Sequence, residues 1–150
     1  MTELTPPAAQ DICLISEDAR LRQQLTSTLE DRSVYIPPVT MSAERLLTLL
    51  PTMQPVLVVV DLSLESKRGF GIIRQMTGQQ SSPLILAVGP GRLDRATCAR
   101  QALIAGATGY LSEEEVAEHL PRALQKMKAG HIFLSEETKE CLRPSEAMAS

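Results

Sequence analysis

Asp61 closes the run Val56-Leu57-Val58-Val59-Val60, and no other position on this chain so concentrates chemical potential. Five apolar, mostly β-branched residues read as a buried central strand of a parallel sheet. A charge directly after such a strand lies at the sheet's carboxyl edge, where open α/β folds place their ligand crevice. A carboxylate there can hold a cation or act as a nucleophile. An aspartate that ends a strand can equally cap the turn that follows. Other candidates are sparser. Gly89-Pro90-Gly91-Arg92 lies between a strand and a helix and can offer backbone N–H groups to an anion, although a tight turn is the commoner reason for such glycines. The GxGxxG and GxxxxGK[ST] phosphate-binding patterns are absent. His119 and His131 stand alone near the last helix and read as solvated helix ends before metal ligands.

The bulk composition narrows the classes. A chain of 150 residues, 43% hydrophobic and 22% charged, suits one globular domain with a real core. With no Trp, two Phe and two Tyr, that core must be aliphatic. A net charge of −3 supplies no global basic field, which argues against direct DNA binding by these residues. Cys13, Cys98 and Cys141 are odd in number, far apart and lack a CxxC. They suit a reducing compartment better than a disulfide framework or a zinc site, and Cys13 reads as a small core residue. Neither a signal peptide nor an apolar run of membrane-spanning length is visible. The expectation is a cytoplasmic protein.

The elements that must position Asp61 follow from periodicity and breakers. Residues 1–10 are a Pro- and Ala-containing lead. Ile12–Ile15 is a strand ending in Ser16-Glu17-Asp18, with Asp18 as a helix N-cap, and Leu21, Leu25 and Leu29 then mark one helical face. Val34–Ile36 is a second strand. Ser42 caps a second helix that Pro51 ends. After the strand Val56–Val60, Phe70, Ile73 and Met76 mark a short third helix. Leu84–Val88 is the fourth strand, an Ala-rich fourth helix ends at Gly106, and Ala107–Leu111 is the fifth strand. Pro121 fits only a first helical turn, so the last helix is predicted from near Glu118 to Ala129, with Gly130 as its terminator. Strands alternating with helices demand a parallel sheet covered on both faces.

Three segments carry a resemblance to a known family. They are Ile12-Cys13-Leu14-Ile15-Ser16-Glu17-Asp18, then Val58-Val59-Val60-Asp61-Leu62-Ser63-Leu64 with Gly69 beyond, and Gly106-Ala107-Thr108-Gly109-Tyr110-Leu111. Each alone is a weak string; all three in order are specific. Over roughly residues 11–130 the chain resembles the receiver domain of bacterial two-component response regulators. The segment Lys128–Ser135 looks like the join to a LuxR-type helix-turn-helix output, as in NarL/LuxR-type regulators, so residues 131–150 read as a linker toward an output domain. The resemblance implies a three-layer, flavodoxin-like (βα)5 fold with a five-stranded parallel sheet in order 2-1-3-4-5. It implies Asp61 as phosphoacceptor for a sensor histidine kinase or small phosphodonor. It also implies Mg2+ ligated by Glu17, Asp61 and the Ser63 backbone carbonyl. The resemblance makes the chain a signalling module that is not an enzyme, able to dimerise through the face of the fourth helix, fifth strand and fifth helix. Arg92, Arg95 and Arg100 against Glu113–Glu115 could pair across such a dimer, although a solvated charged surface explains them as well. DNA would be reached only through the output domain.

The departures bear on that function. The first of the family's paired acids falls on Ser16, the phosphoryl-binding hydroxyl position on Val88, and the lysine position on Glu113. Tyr110 keeps the aromatic position whose movement reports phosphorylation, without its hydroxyl partner. The loop from Gly89 to Asp94 is longer than the family's. These changes predict atypical or weak phosphorylation, the alternative being a phosphorylation-independent pseudo-receiver that acts as a protein-interaction or dimerisation module.

Overall fold

A computed structural model describes residues 12–28, 34–36, 43–53, 55–62, 68–78, 83–90 and 95–142. Among these residues six strands form one parallel sheet: β1 (Ile12–Ile15), β2 (Val34–Tyr35), β3 (Leu57–Asp61), β4 (Leu84–Gly89), β5 (Gly109–Ser112) and β6 (Phe133–Leu134). Their order is β2-β1-β3-β4-β5-β6. The helices are α1 (Ala19–Thr28), α2 (Ala43–Met53), α3 (Arg68–Thr77), α4 (Arg95–Ala105), α5 (Val116–Lys128) and α6 (Glu136–Leu142). The predicted doubly wound order is therefore present, with one short strand added at its edge.

Strand parity divides the core in two. Leu57, Val59, Leu86, Val88 and Leu111 face α1 and α5, meeting Leu21, Leu25, Leu120 and Leu124. Val58, Val60, Ile85, Ala87 and Tyr110 face α2, α3 and α4, meeting Leu46, Leu50, Ile73, Met76 and Ala102. Because successive strand residues point to opposite faces, an uninterrupted apolar run is what a sheet covered on both sides requires. Cys13 lies in this core, and burial pushes its thiol up to about 12, so it stays protonated and inert.

Several boundaries differ from the sequence expectation, each for a local reason. β3 is shifted by one residue: Val56 is exposed, and Asp61 is itself the last paired position, opposite Val88. Pro51 lies inside α2, which runs on to Met53, because an exposed proline in the last turn leaves few helical bonds to disrupt. α5 starts two residues before the predicted Glu118, directly after a 3-10 turn over Glu113–Glu115, and Pro121 sits within it on an exposed face. β5 begins later than Ala107 because the end of α4 consumes that residue. Gly106, at φ +117°, donates to Leu103 O at 3.1 Å while Ala107 donates to Ala102 O at 2.9 Å, a Schellman closure. Gly130, at φ +94°, closes α5 in the same way through Met127 O and Lys126 O, as predicted.

The sheet also continues past residue 130. β6 pairs with the outer edge of β5, and α6 packs on α4, so the segment read as a linker contributes to the same fold through Leu142. Part of the surface formed by α4, β5 and α5 is thus covered by the chain itself. Leu29, Ser42 and Arg92 lie outside the described residues.

Gly106 provides a check on this packing. A Cβ there would collide with Thr77 Cγ2 and come within 2.9 Å of Thr77 Cβ, at a φ few L-residues adopt. Gly106→Ala is expected to destabilise the fold by about 1–3 kcal/mol in urea titration.

Candidate functional site

β1 and β3 are adjacent and in register, Ile15 opposite Val60, so the residues that follow them emerge side by side. Parallel strands end at one edge of the sheet, which is why Ser16 and Asp61, 45 residues apart, converge. Asp61 is only 1% exposed, and Ser16 Oγ donates to its Oδ2 at 2.7 Å. The same Oγ accepts the Asp18 N–H at 3.0 Å. Ser16 has one proton and gives it to the carboxylate, so it ties Asp61 to the start of α1. Asp18 Oδ1 accepts the N–H groups of Arg20 at 2.9 Å and Leu21 at 3.4 Å, the N-cap geometry expected of it.

The other predicted positions divide. Val88 is buried opposite Asp61, and its carbonyl accepts the Leu62 N–H at 2.8 Å, pinning the strand end that carries the acid. Glu113 follows the end of β5 and lies close enough to Asp61 for their charges to interact. Burial, then the carboxylates of Asp61 and Asp18, push its carboxyl above the usual glutamate range, with Arg20 pulling the other way. Glu17, by contrast, is exposed, and Ser63 lies outside the described residues. Among the described residues no group of three or more His, Cys, Asp or Glu is placed to hold a metal ion. With a hydroxyl where a second carboxylate would stand, the donor set that is described fits a divalent cation poorly.

Two glycines are explained only by their neighbours. A Cβ on Gly69 would lie 3.0 Å from the Asp61 carbonyl oxygen, so glycine allows the start of α3 to close on the end of β3. Gly89 pairs with Ser112 inside the sheet, and the tip of Tyr110 fills the space its Cβ would need, Cζ standing 2.7 Å away. Gly89 therefore serves packing, and of the candidate anion loop Gly89-Pro90-Gly91-Arg92 the last two residues lie outside the described residues. Tyr110 is fully buried in this position.

The comparisons agree with the geometry. The family model described as the response regulator receiver domain matches residues 12–125. The chain belongs to the response regulator receiver family. A two-component response regulator of the LuxR family from Aurantimonas sp. SI85-9A1 shares the fold with a TM-score of 0.73 at 21% identity, over 90% of this chain and 96% of that one. The isolated REC domain of RcsB from Salmonella enterica serovar Typhimurium, in the presence of phosphomimetic BeF3-, gives 0.71 at 15% identity, over 90% and 99%. A longer RcsB response regulator from Salmonella typhimurium gives 0.70 at 16% identity, over 94% of this chain and 74% of that one. No curated protein matches.

Sequence reasoning missed one polar cluster of this receiver. Glu115 is buried and bonds to Ser112 and Ser135, so it is not part of the acidic surface patch expected over Glu113–Glu115. The spacing Ser112-x-x-Glu115 is a capping-box signature that marks the turn, but nothing in it points to Ser135. His119 lies beside Phe133, ring centroids 6.4 Å apart, and His131 is exposed.

Two measurements follow from the pocket. Ser16→Ala removes the Ser16 donor from a buried carboxylate and is expected to cost about 1–3 kcal/mol at neutral pH. Glu113 titrates higher in the fold than in the unfolded chain, so the native state binds more protons across that window and stability falls as pH rises through it. Glu113→Gln should flatten this slope, gaining stability at neutral pH and none at low pH. The effect is small because Glu113 is partly exposed, and matched urea titrations at several pH values read it.

Proposed function

We propose that this receiver is the regulatory part of a two-component response regulator of NarL/LuxR type, with Asp61 as a phosphoacceptor of low efficiency. Its donor is the phosphohistidine of a sensor kinase or a small phosphodonor. The observation that carries this reading is the local charge: Asp61 is buried, bonded to a serine hydroxyl, and felt electrostatically by the carboxyl of Glu113.

In the transfer, a carboxylate oxygen of Asp61 attacks phosphorus as the imidazole nitrogen leaves, and the adduct carries more negative charge than the free acid. Catalysis of phosphoryl transfer is chiefly positioning and charge neutralisation. The Ser16 hydroxyl offers one neutral donor to Oδ2. Val88 offers no hydroxyl, and Glu113 repels the product where a cation would bind it by charge-assisted bonds. When bound, magnesium would supply the missing positive charge. The residues that would hold it are Asp61, Glu17 and the Ser63 backbone carbonyl, and with Ser16 in place of a further acid it would be held weakly.

The second reading, a phosphorylation-independent interaction module, is favoured by Tyr110. Its ring is buried against Gly89, and the Val88 side chain has no hydroxyl with which to answer it. In either reading DNA is reached only through an output domain that follows residues 131–150, and the receiver itself contacts protein. No helix among the described residues is long and apolar enough to cross a membrane.

Acetyl phosphate with magnesium and intact-mass detection tests the proposal. The expected result is a sub-stoichiometric phosphoryl adduct on Asp61, lost in Asp61→Asn and raised about tenfold or more in Ser16→Asp/Glu113→Lys. Full modification of the natural chain within minutes would refute the low-efficiency reading. Complete absence of adduct, in the natural chain and the double variant alike, would favour the interaction module.

A further inference from the structure

Among the described residues, Asp61 and Glu115 are the buried carboxylates, and only Asp61 has a place in the function above. A carboxylate at 5% exposure is tolerated when its oxygens are hydrogen-bonded. Oε1 accepts the Ser112 N–H at 3.0 Å, the acid half of a capping box over the 3-10 turn. Capping alone calls only for an exposed glutamate. The second oxygen explains the burial: Ser135 Oγ donates to Oε2 at 2.5 Å, across 20 residues of sequence. The short distance marks a charge-assisted bond.

Ser135 is also the N-cap of α6. Its Oγ accepts the Thr138 N–H at 3.2 Å, and the Thr138 hydroxyl lies 3.1 Å away. With the single Ser135 proton committed to Glu115, the Thr138 hydroxyl supplies the proton for the contact between them. All three residues are buried. Seven residues are too few for a helix to persist alone, so α6 depends on this cap and on its packing against α4. The other end of the cluster is equally placed. Ser112 ends β5, pairs with Gly89, and is followed directly by Glu113, whose carboxyl senses Asp61. Glu115 thus has one oxygen on the turn beside the pocket and the other on the first turn of α6.

We propose that Glu115 is a positioning residue that couples the turn Ser112–Glu115, at the rim of the Asp61 pocket, to the C-terminal arm Phe133–Leu142. A displacement of the turn draws Glu115 off Ser135 and loosens the arm. By reciprocity, loosening the arm frees the turn. The docked arm covers the edge of β5 and the flank of α4; the loosened arm exposes both and hands a changed geometry to whatever follows it in the chain. This coupling does not rest on Asp61 being phosphorylated, because it is built from contacts of the unmodified chain.

Hydrogen exchange read by mass spectrometry on the full chain tests it, comparing Ser135→Ala and Glu115→Ala with the natural protein. Ser135→Ala is expected to speed exchange over residues 133–142 by about tenfold and over 109–117 several-fold, while 57–61 and 84–89 keep their rates. Glu115→Ala should give the same pattern, larger. A network that only rigidifies the arm would leave 109–117 unchanged, and that result overturns the coupling. Unchanged protection of 133–142, or an equal loss across every strand, overturns it as well. Should Glu115→Ala fail to fold, Ser135→Ala decides alone.

Discussion

The rest of this structure depends on a carboxylate kept almost wholly out of water at the end of a central strand. Desolvating an ionised acid is expensive, and it is tolerated only where fixed donors replace the water. At Asp61 a donor comes from Ser16, which can reach it because β1 and β3 run parallel and end together. Their register is held by apolar runs that have no alternative to burial between two helical layers. Gly69 and the Leu62–Val88 bond then close the pocket floor around the acid.

What that environment does chemically is set by its neighbours. A serine in place of a carboxylate removes negative charge that a cation would need. Glu113 in turn adds negative charge where an adduct would need a cation. On the low-efficiency reading proposed above, both changes act against a phosphorylated product, while neither prevents the resting arrangement from forming. Burial, then the nearby carboxylates of Asp61 and Asp18, raise the Glu113 carboxyl above the usual glutamate range, the same crowding of negative charge seen from the other side.

The second buried carboxylate solves the same electrostatic problem differently. Glu115 finds its donors in a backbone N–H of its own turn and in a serine from the C-terminal arm. The two acids lie at opposite ends of a short path through Glu113 and Ser112. Residues beyond the helix that ends the repeating βα pattern are thus wired into the edge of the sheet. This is also why part of the face formed by α4, β5 and α5 is occupied by the chain's own β6 and α6.

The sequence by itself determined the order of strands and helices, the identity of the central strand, Asp61 at its end, the capping role of Asp18 and the terminator at Gly130. These rest on local patterning: continuous apolar runs, a cap residue ahead of a periodic face, a glycine after one. It also placed Val88 next to Asp61, through the family's motif spacing. Only the tertiary structure decided that Ser16 donates to Asp61, that Gly89 makes room for Tyr110, that Glu115 turns inward to Ser135, and that residues beyond 130 extend the sheet. Each of these joins atoms distant in sequence, and their donors and acceptors are chosen by how parallel strands align and which surfaces remain to be covered. Pro121 shows the same limit in reverse: its local rule demanded a helix start, while packing of Val116 and Leu120 against the sheet began the helix earlier.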